Sequence, residues 1–177
     1  FFYNPFRKMW CFSIKQGNGR GRIRYYCENR EFMKGADWAK AVYWTGADRL
    51  DCPEPEGSYH PAAHAHRCQL YSLNAVAYES LMIGMHYIHR GPENGLCDAA
   101  KIPKLTDLEL GFSRDGFHWD RPDRRAFIAC SRSEGSWDRA YLHSTAGVFV
   151  VLDDRLVFPY CGFSGVAPSG KRGMYTG

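Results

Sequence analysis

Short apolar and aromatic runs alternate with polar turns along this chain, and within the runs the period is two, the mark of strands. Phe2-Tyr3-Asn4-Pro5-Phe6-Arg7-Lys8-Met9-Trp10-Cys11-Phe12-Ser13-Ile14 reads as an aromatic strand, a turn over Asn4 to Lys8 and a second strand. Gly17-Asn18-Gly19-Arg20-Gly21 supplies the next turn. After it, Ile23, Tyr25 and Cys27 alternate with Arg22, Arg24, Tyr26 and Glu28, which predicts a strand with one buried face. Leu108 to Phe112, Ser113-Arg114-Asp115-Gly116 and Phe117 to Trp119 make a hairpin signature with Asp-Gly at its corner. Val148 to Leu152 and Arg155 to Tyr160 flank Asp153-Asp154 in the same manner, and Pro159, which has no N–H to donate, places its strand at an edge or a bulge.

One run is ambiguous by pattern alone. Leu73, Val76, Ala77, Leu81, Gly84, Met85 and Ile88 fit helical spacing, whereas Met82-Ile83-Gly84-Met85 suits a strand buried on both faces. From Asp48 to Gln69 the pattern dissolves into Pro, His, Ala and charged residues, which predicts a long loop or insertion at 48–69. Short strands, regular turns and no clear helix point to an all-β sandwich, barrel or propeller.

Composition narrows this picture. The 177 residues, 45% hydrophobic and 15% aromatic, suffice for one domain with a buried core across 1–177. The net charge of +4 arises from 23 basic and 19 acidic residues mixed along the chain, not the basic stripe that nucleic acid selects. No apolar run reaches the roughly 18 residues of a membrane helix, so the chain reads as soluble, with the choice of cytoplasm or exterior left open. Phe1 and Gly177 resemble natural termini little, and the expectation is a piece of a longer chain. Seven cysteines, odd in number and irregular in spacing, do not read as a disulfide framework.

Ser113-Arg114-Asp115-Gly116-Phe117-His118-Trp119 resembles the Asp-box-like hairpin turn of glycosidase propellers. Beside it, Phe2-Tyr3-Asn4-Pro5-Phe6-Arg7, Gly46-Ala47-Asp48-Arg49-Leu50-Asp51, Ala77-Tyr78-Glu79-Ser80-Leu81-Met82-Ile83-Gly84 and Arg121-Pro122-Asp123-Arg124 are similar to a bacterial group related to the five-bladed glycoside hydrolases of families 32 and 43. The likeness runs over nearly the whole chain. It implies an incomplete five-bladed β-propeller, about three or four blades at roughly 40 to 50 residues each. It also implies strands, not a helix, for Ala75 to Tyr78 and Leu81 to Ile88. An open propeller would expose strand edges, so self-association edge to edge is expected of a truncated copy.

The activity implied is hydrolysis of glycosidic bonds in an oligosaccharide or glycoside, without cofactor, by one carboxylic acid that protonates the leaving oxygen and one carboxylate that acts as nucleophile or base. Glu79, a lone acid in an apolar run, is the candidate acid, because partial burial would raise its pKa. Asp48 and Asp51, following Tyr43 and Trp44, are candidates for its partner. Asn74 stands where an acid of a working triad is expected, which favours the alternative of a carbohydrate-binding propeller without catalysis. Asp138 is a candidate for sugar hydroxyls, and Trp44, Tyr78 and Trp137 for stacking on sugar rings, each set against the commoner use of such residues in ion pairs and cores. A third reading, a zinc-stabilised interaction domain, rests on Cys52, His60, His64, His66 and Cys68, whose spacing matches no standard finger. Asp115 is assigned to its turn.

Overall fold

The computed structural model describes residues 1–18, 21–51, 68–92 and 94–164, and antiparallel strands dominate among them. The fold is all-β. The first sheet has the order β1 (Phe2–Asn4), β2 (Met9–Asn18), β3 (Gly21–Asn29) and β4 (Val42–Gly46). Its opening turn forms because the Asn4 side-chain oxygen accepts from the backbone N–H groups of Phe6 and Arg7, replacing ladder bonds that the turn lacks.

The second sheet is β5 (Gln69–Tyr78), β6 (Leu81–Gly91) and β7 (Leu105–Ser113), with the short helix α1 (Asn94–Ala100) on the connection from β6 to β7. The ambiguous apolar run is therefore a hairpin. Tyr78 pairs with Leu81, and Glu79 and Ser80 form the corner, Glu79 at φ 51°. The outer edge of β7 is also occupied: Phe112 bridges Asp120, Leu108 bridges Ile128, and the Leu142 N–H donates to the Thr106 carbonyl. The Ser113–Trp119 turn is tied by Asp115, whose Oδ1 accepts from the N–H groups of Phe117 and His118 at 2.8 Å each. Gly116 there sits at φ 76° with its Cα against the Asn4 carboxamide, so only glycine fits.

The C-terminal part consists of β8 (His143–Ser144) paired with β11 (Tyr160–Cys161), and β9 (Val150–Leu152) paired with β10 (Arg155–Val157) around the Asp153-Asp154 corner. These strands cover one face of the β5–β7 sheet, burying Met85, Tyr87, Leu105, Leu108, Leu142, Val148 and Phe149. The first sheet covers the opposite face, burying Phe2, Cys11, Tyr26, Trp44, Leu73, Ala75 and Met82. Both faces of the central sheet are thus inside, which is why β6 shows no alternation of apolar and polar residues. None of the sheets closes on itself among the described residues.

In β3 the expected single buried face is corrected. Arg24 and Tyr26 are buried along with Ile23 and Cys27, while Tyr25 is half-buried. Alternation along β3 is kept, its register with β2 running unbroken, but β5 packs across what would have been an open face, so side chains of both faces are buried. No disulfide joins the six described cysteines, and no described helix is long and apolar enough to cross a membrane. Of the 48–69 stretch, Arg49–Asp51 is a single 3-10 turn and Gln69 already belongs to β5. Cys52, His60, His64 and His66 of the zinc reading lie outside the described residues.

Candidate functional site

The acids expected to cleave a sugar bond are held in different ways. Asp51 is fully buried at the end of the turn that follows β4, and Arg121 grips it with two parallel bonds, Nη1 to Oδ1 at 2.7 Å and Nη2 to Oδ2 at 2.9 Å. Arg124 reaches Asp51 Oδ1 at 2.9 Å and both oxygens of Asp48 at 3.0 Å. Partial burial would raise the Asp48 pKa, but the Arg124 bond and the Leu50 N–H hold it below the ordinary carboxylate value.

The same lattice continues across the sheet. Arg90 on β6 binds Glu109 at 2.7 Å, Asp107 at 3.1 Å and the Asp51 carbonyl, while Arg121 also meets Glu109 at 3.4 Å and Arg132 meets Asp107 at 3.1 Å. Burial pushes the Glu109 carboxyl up to about 7; Arg90 and Arg121 pull it back, and Asp51 pushes it further. His86, cross-strand partner of Glu109, is fully buried, and among the described residues no hydrogen bond of ordinary geometry reaches either ring nitrogen. Its ring lies edge-on to Trp119 at 5.5 Å. Burial, then Arg121 and Arg124, press its pKa well below the usual histidine value, so it is neutral. Its place exists only because residue 111 is glycine: a Cβ there would stand 2.5 Å from the imidazole. Chemically, this lattice fastens the Asp48–Asp51 turn and the Arg121–Arg124 segment onto β6 and β7. Asp48 and Asp51 are both engaged by guanidinium groups.

Glu79 departs from its expected environment. It is exposed at the β5–β6 corner rather than partly buried in an apolar run, because the run folds back on itself there. Trp44 lies in the core with its Nε1–H donating to the Phe117 carbonyl at 2.7 Å. Tyr78 is half-buried, edge-on to Phe149 at 5.7 Å.

Two expected residues do come together, on the opposite face of the central sheet. The Asn74 amide donates to the Tyr87 hydroxyl at 2.8 Å, and that hydroxyl donates to the Ser144 carbonyl at 2.8 Å with the Ser144 hydroxyl 2.7 Å away. Burial raises the Tyr87 pKa, which keeps the phenol a proton donor. Ser144 pairs with Tyr160 across β8 and β11, so both side chains share one face. Tyr160 in turn stacks on Trp137, centroids 5.5 Å apart and planes at 29°, and Trp137 is 45% exposed. Asp138, the neighbour of Trp137, accepts a short bond from the Ser136 hydroxyl, which lowers its pKa and keeps it ionised. A second group of rings adjoins this line: His143 lies 5.4 Å from Tyr87, 5.6 Å from Tyr71 and 4.7 Å from Tyr141.

The arrangement is a set of adjoining aromatic rings, from the buried Tyr87 through the partly buried Tyr71, Tyr141, His143 and Tyr160 to the exposed Trp137, with neutral hydrogen-bonding groups set among them. Asn74, Trp137 and Asp138 were sequence candidates, whereas Tyr87, Ser144 and Tyr160 were not; these three come together through the pairing of β8 with β11 and the Tyr87–Ser144 bonds between β6 and β8, for which no local pattern exists. Compared with models of protein families, with curated proteins and with solved structures, the chain has no match.

Proposed function

We propose that the chain is part of a glycosidase-type β-propeller and that it holds an oligosaccharide against the Asn74–Trp137 wall. The observation that carries this reading is the line Asn74–Tyr87–Ser144–Tyr160–Trp137. A sugar offers C–H faces that stack on rings such as Trp137 and hydroxyls that pair with neutral groups such as the Asn74 carboxamide and the Ser144 hydroxyl. The propeller half of the proposal draws on the three stacked β layers and on the Ser113–Trp119 turn, tied by Asp115. In that plan the arginine lattice serves as a joint between neighbouring sheets, and recognition falls to the aromatic wall.

Hydrolysis is the second reading, favoured by Asp138, an ionised carboxylate beside the exposed Trp137. It requires a protonated carboxyl facing Asp138 across the bond to be cleaved, at roughly 5 to 5.5 Å for a retaining enzyme or 6.5 to 9.5 Å for an inverting one.

Calorimetric titration with a panel of neutral and acidic oligosaccharides tests the binding reading. Trp137→Ala should weaken the best ligand about ten-fold, the ~1.4 kcal/mol of one good stacking contact. Absence of binding across the panel by folded protein would refute the proposal. Release of reducing sugar from any member, lost in Asp138→Asn, would establish the second reading instead.

A further inference from the structure

Beside the proposed sugar site lies a concentration of positive charge. Lys15 and Arg22 project from the β2–β3 hairpin onto the same ring: the Lys15 Nζ stands 5.8 Å and the Arg22 guanidinium 5.7 Å from the centre of Tyr71. Lys104 stands 5.8 Å from the ring of Tyr141, which meets Tyr71 edge-on at 5.4 Å. Arg24 lies beneath them, 6% exposed, bonded to the Ser13 hydroxyl at 2.8 Å and the Tyr71 carbonyl at 3.0 Å.

None of Lys15, Arg22 and Arg24 pairs with a carboxylate among the described residues. Arg22 binds the Gln69 amide oxygen at 2.7 Å, a neutral partner, and the acceptors of Arg24 are neutral as well. The contrast with the arginine lattice is sharp, since there each buried guanidinium has a carboxylate. Burial without a counter-charge pulls the Arg24 guanidinium down to about 10. Cation–ring contacts recover part of the cost of gathering these charges, but rings carry no net charge and leave the mutual repulsion in place.

We infer that the Lys15–Arg22–Tyr71 corner receives the negative group of an anionic sugar, a carboxylate or a sulfate, at one end of the wall. Tyr71 touches His143, and His143 touches the buried Tyr87, whose hydroxyl bonds Asn74 and Ser144, so the basic corner and the Asn74–Trp137 line are neighbours around one core ring. A ligand with its uncharged sugar units along Tyr160 and Trp137 and an acidic unit beside Tyr71 would meet both. This rests on the carbohydrate reading above and adds the class of ligand to it.

The experiment compares three trisaccharides by calorimetry on the whole chain: trigalacturonate, its fully methyl-esterified form, and a sulfated neutral trisaccharide. Expected is binding of at least one anionic sugar about ten-fold tighter than the ester at low salt. The advantage should fall away in about 0.5 M sodium chloride, where charges are screened beyond a few ångströms. Lys15→Gln combined with Arg22→Gln should abolish the advantage while leaving the affinity for the ester unchanged. Lys15→Gln alone, at an exposed position, should halve the advantage or more and guards against misfolding of the double variant. Tighter binding of the sulfated sugar alone assigns sulfate, and of the uronate alone, carboxylate. Equal affinity for all three overturns this inference and leaves the carbohydrate reading standing, whereas binding of none by folded protein overturns both.

Discussion

The face of the central sheet that meets the Asp48–Asp51 turn and the face that meets β8 both contain polar side chains, yet they hold them under opposite conditions. On the first, Asp51, Asp107 and Glu109 are almost wholly buried and each is bonded to arginine. On the second, Asn74, Ser144 and Tyr160 are half-buried, uncharged, and bonded or paired in a single line that ends at an exposed tryptophan. Burying a charge is costly unless it is paired, so the first face can keep its carboxylates only by closing them off. The second face, covered by the C-terminal strands, has no charge to neutralise, and its polar groups satisfy one another through neutral bonds.

The largest effect expected from breaking that difference comes from Arg121→Met. It leaves Asp51 and Glu109 buried with fewer partners and should cost about 3–5 kcal/mol in urea unfolding. A cost under about 1 kcal/mol would mean that water, not arginine, satisfies the two acids.

Glu109 gives the next effect, in pH dependence. Its folded pKa, about 7, exceeds its unfolded value, so the folded state holds the extra proton; that contribution is complete below about pH 4.5 and is lost as pH rises through 7. His86 acts in the opposite sense. Its folded pKa is depressed, so its contribution is present above about pH 6.5 and is lost as pH falls. Glu109→Gln removes the first and retains the second, so the stability of the variant relative to the native protein should rise between about pH 5 and 7. A flat difference would show that Glu109 stays ionised beside Arg90 throughout.

On the second face the effect is smaller. Tyr87→Phe removes the hydroxyl between Asn74 and Ser144 and should cost about 1 kcal/mol, the scale of one hydrogen bond whose partners can turn to water. A cost near 3 kcal/mol would show the wall to be as closed as the lattice.

Turns were the most legible part of the sequence, since their signals are local. Asp115-Gly116 and Asp153-Asp154 stand where corners form, and Asn4 ties the first turn with its own side chain. The run from Leu73 to Ile88 hid its corner because Glu79 and Ser80 lack the glycine or asparagine that usually marks one, so Glu79 looked like an acid within an apolar segment. The lattice was illegible for a different reason. Asp51 and Arg121 are 70 residues apart, and Arg90 meets Asp107 and Glu109 only through the register of β6 against β7. Burial of Arg24 followed from the packing of β5 across β3, a contact that composition does not signal. Asn74 and Trp137 were found by their chemistry, one as a polar residue among apolar ones and the other as a tryptophan beside an acid.

The pairing of Cys161 with His143 places its thiol on the reverse of the strand that presents Tyr160. Burial pushes the Cys11 thiol up to about 11 and raises that of Cys130 as well, which leaves both mostly protonated and shielded from electrophiles at neutral pH. Cys161 is the exposed thiol among the described cysteines. A maleimide dye would accordingly label it ahead of those two, on the opposite side of the strand from Tyr160, where its emission could report a ligand that settles on Trp137.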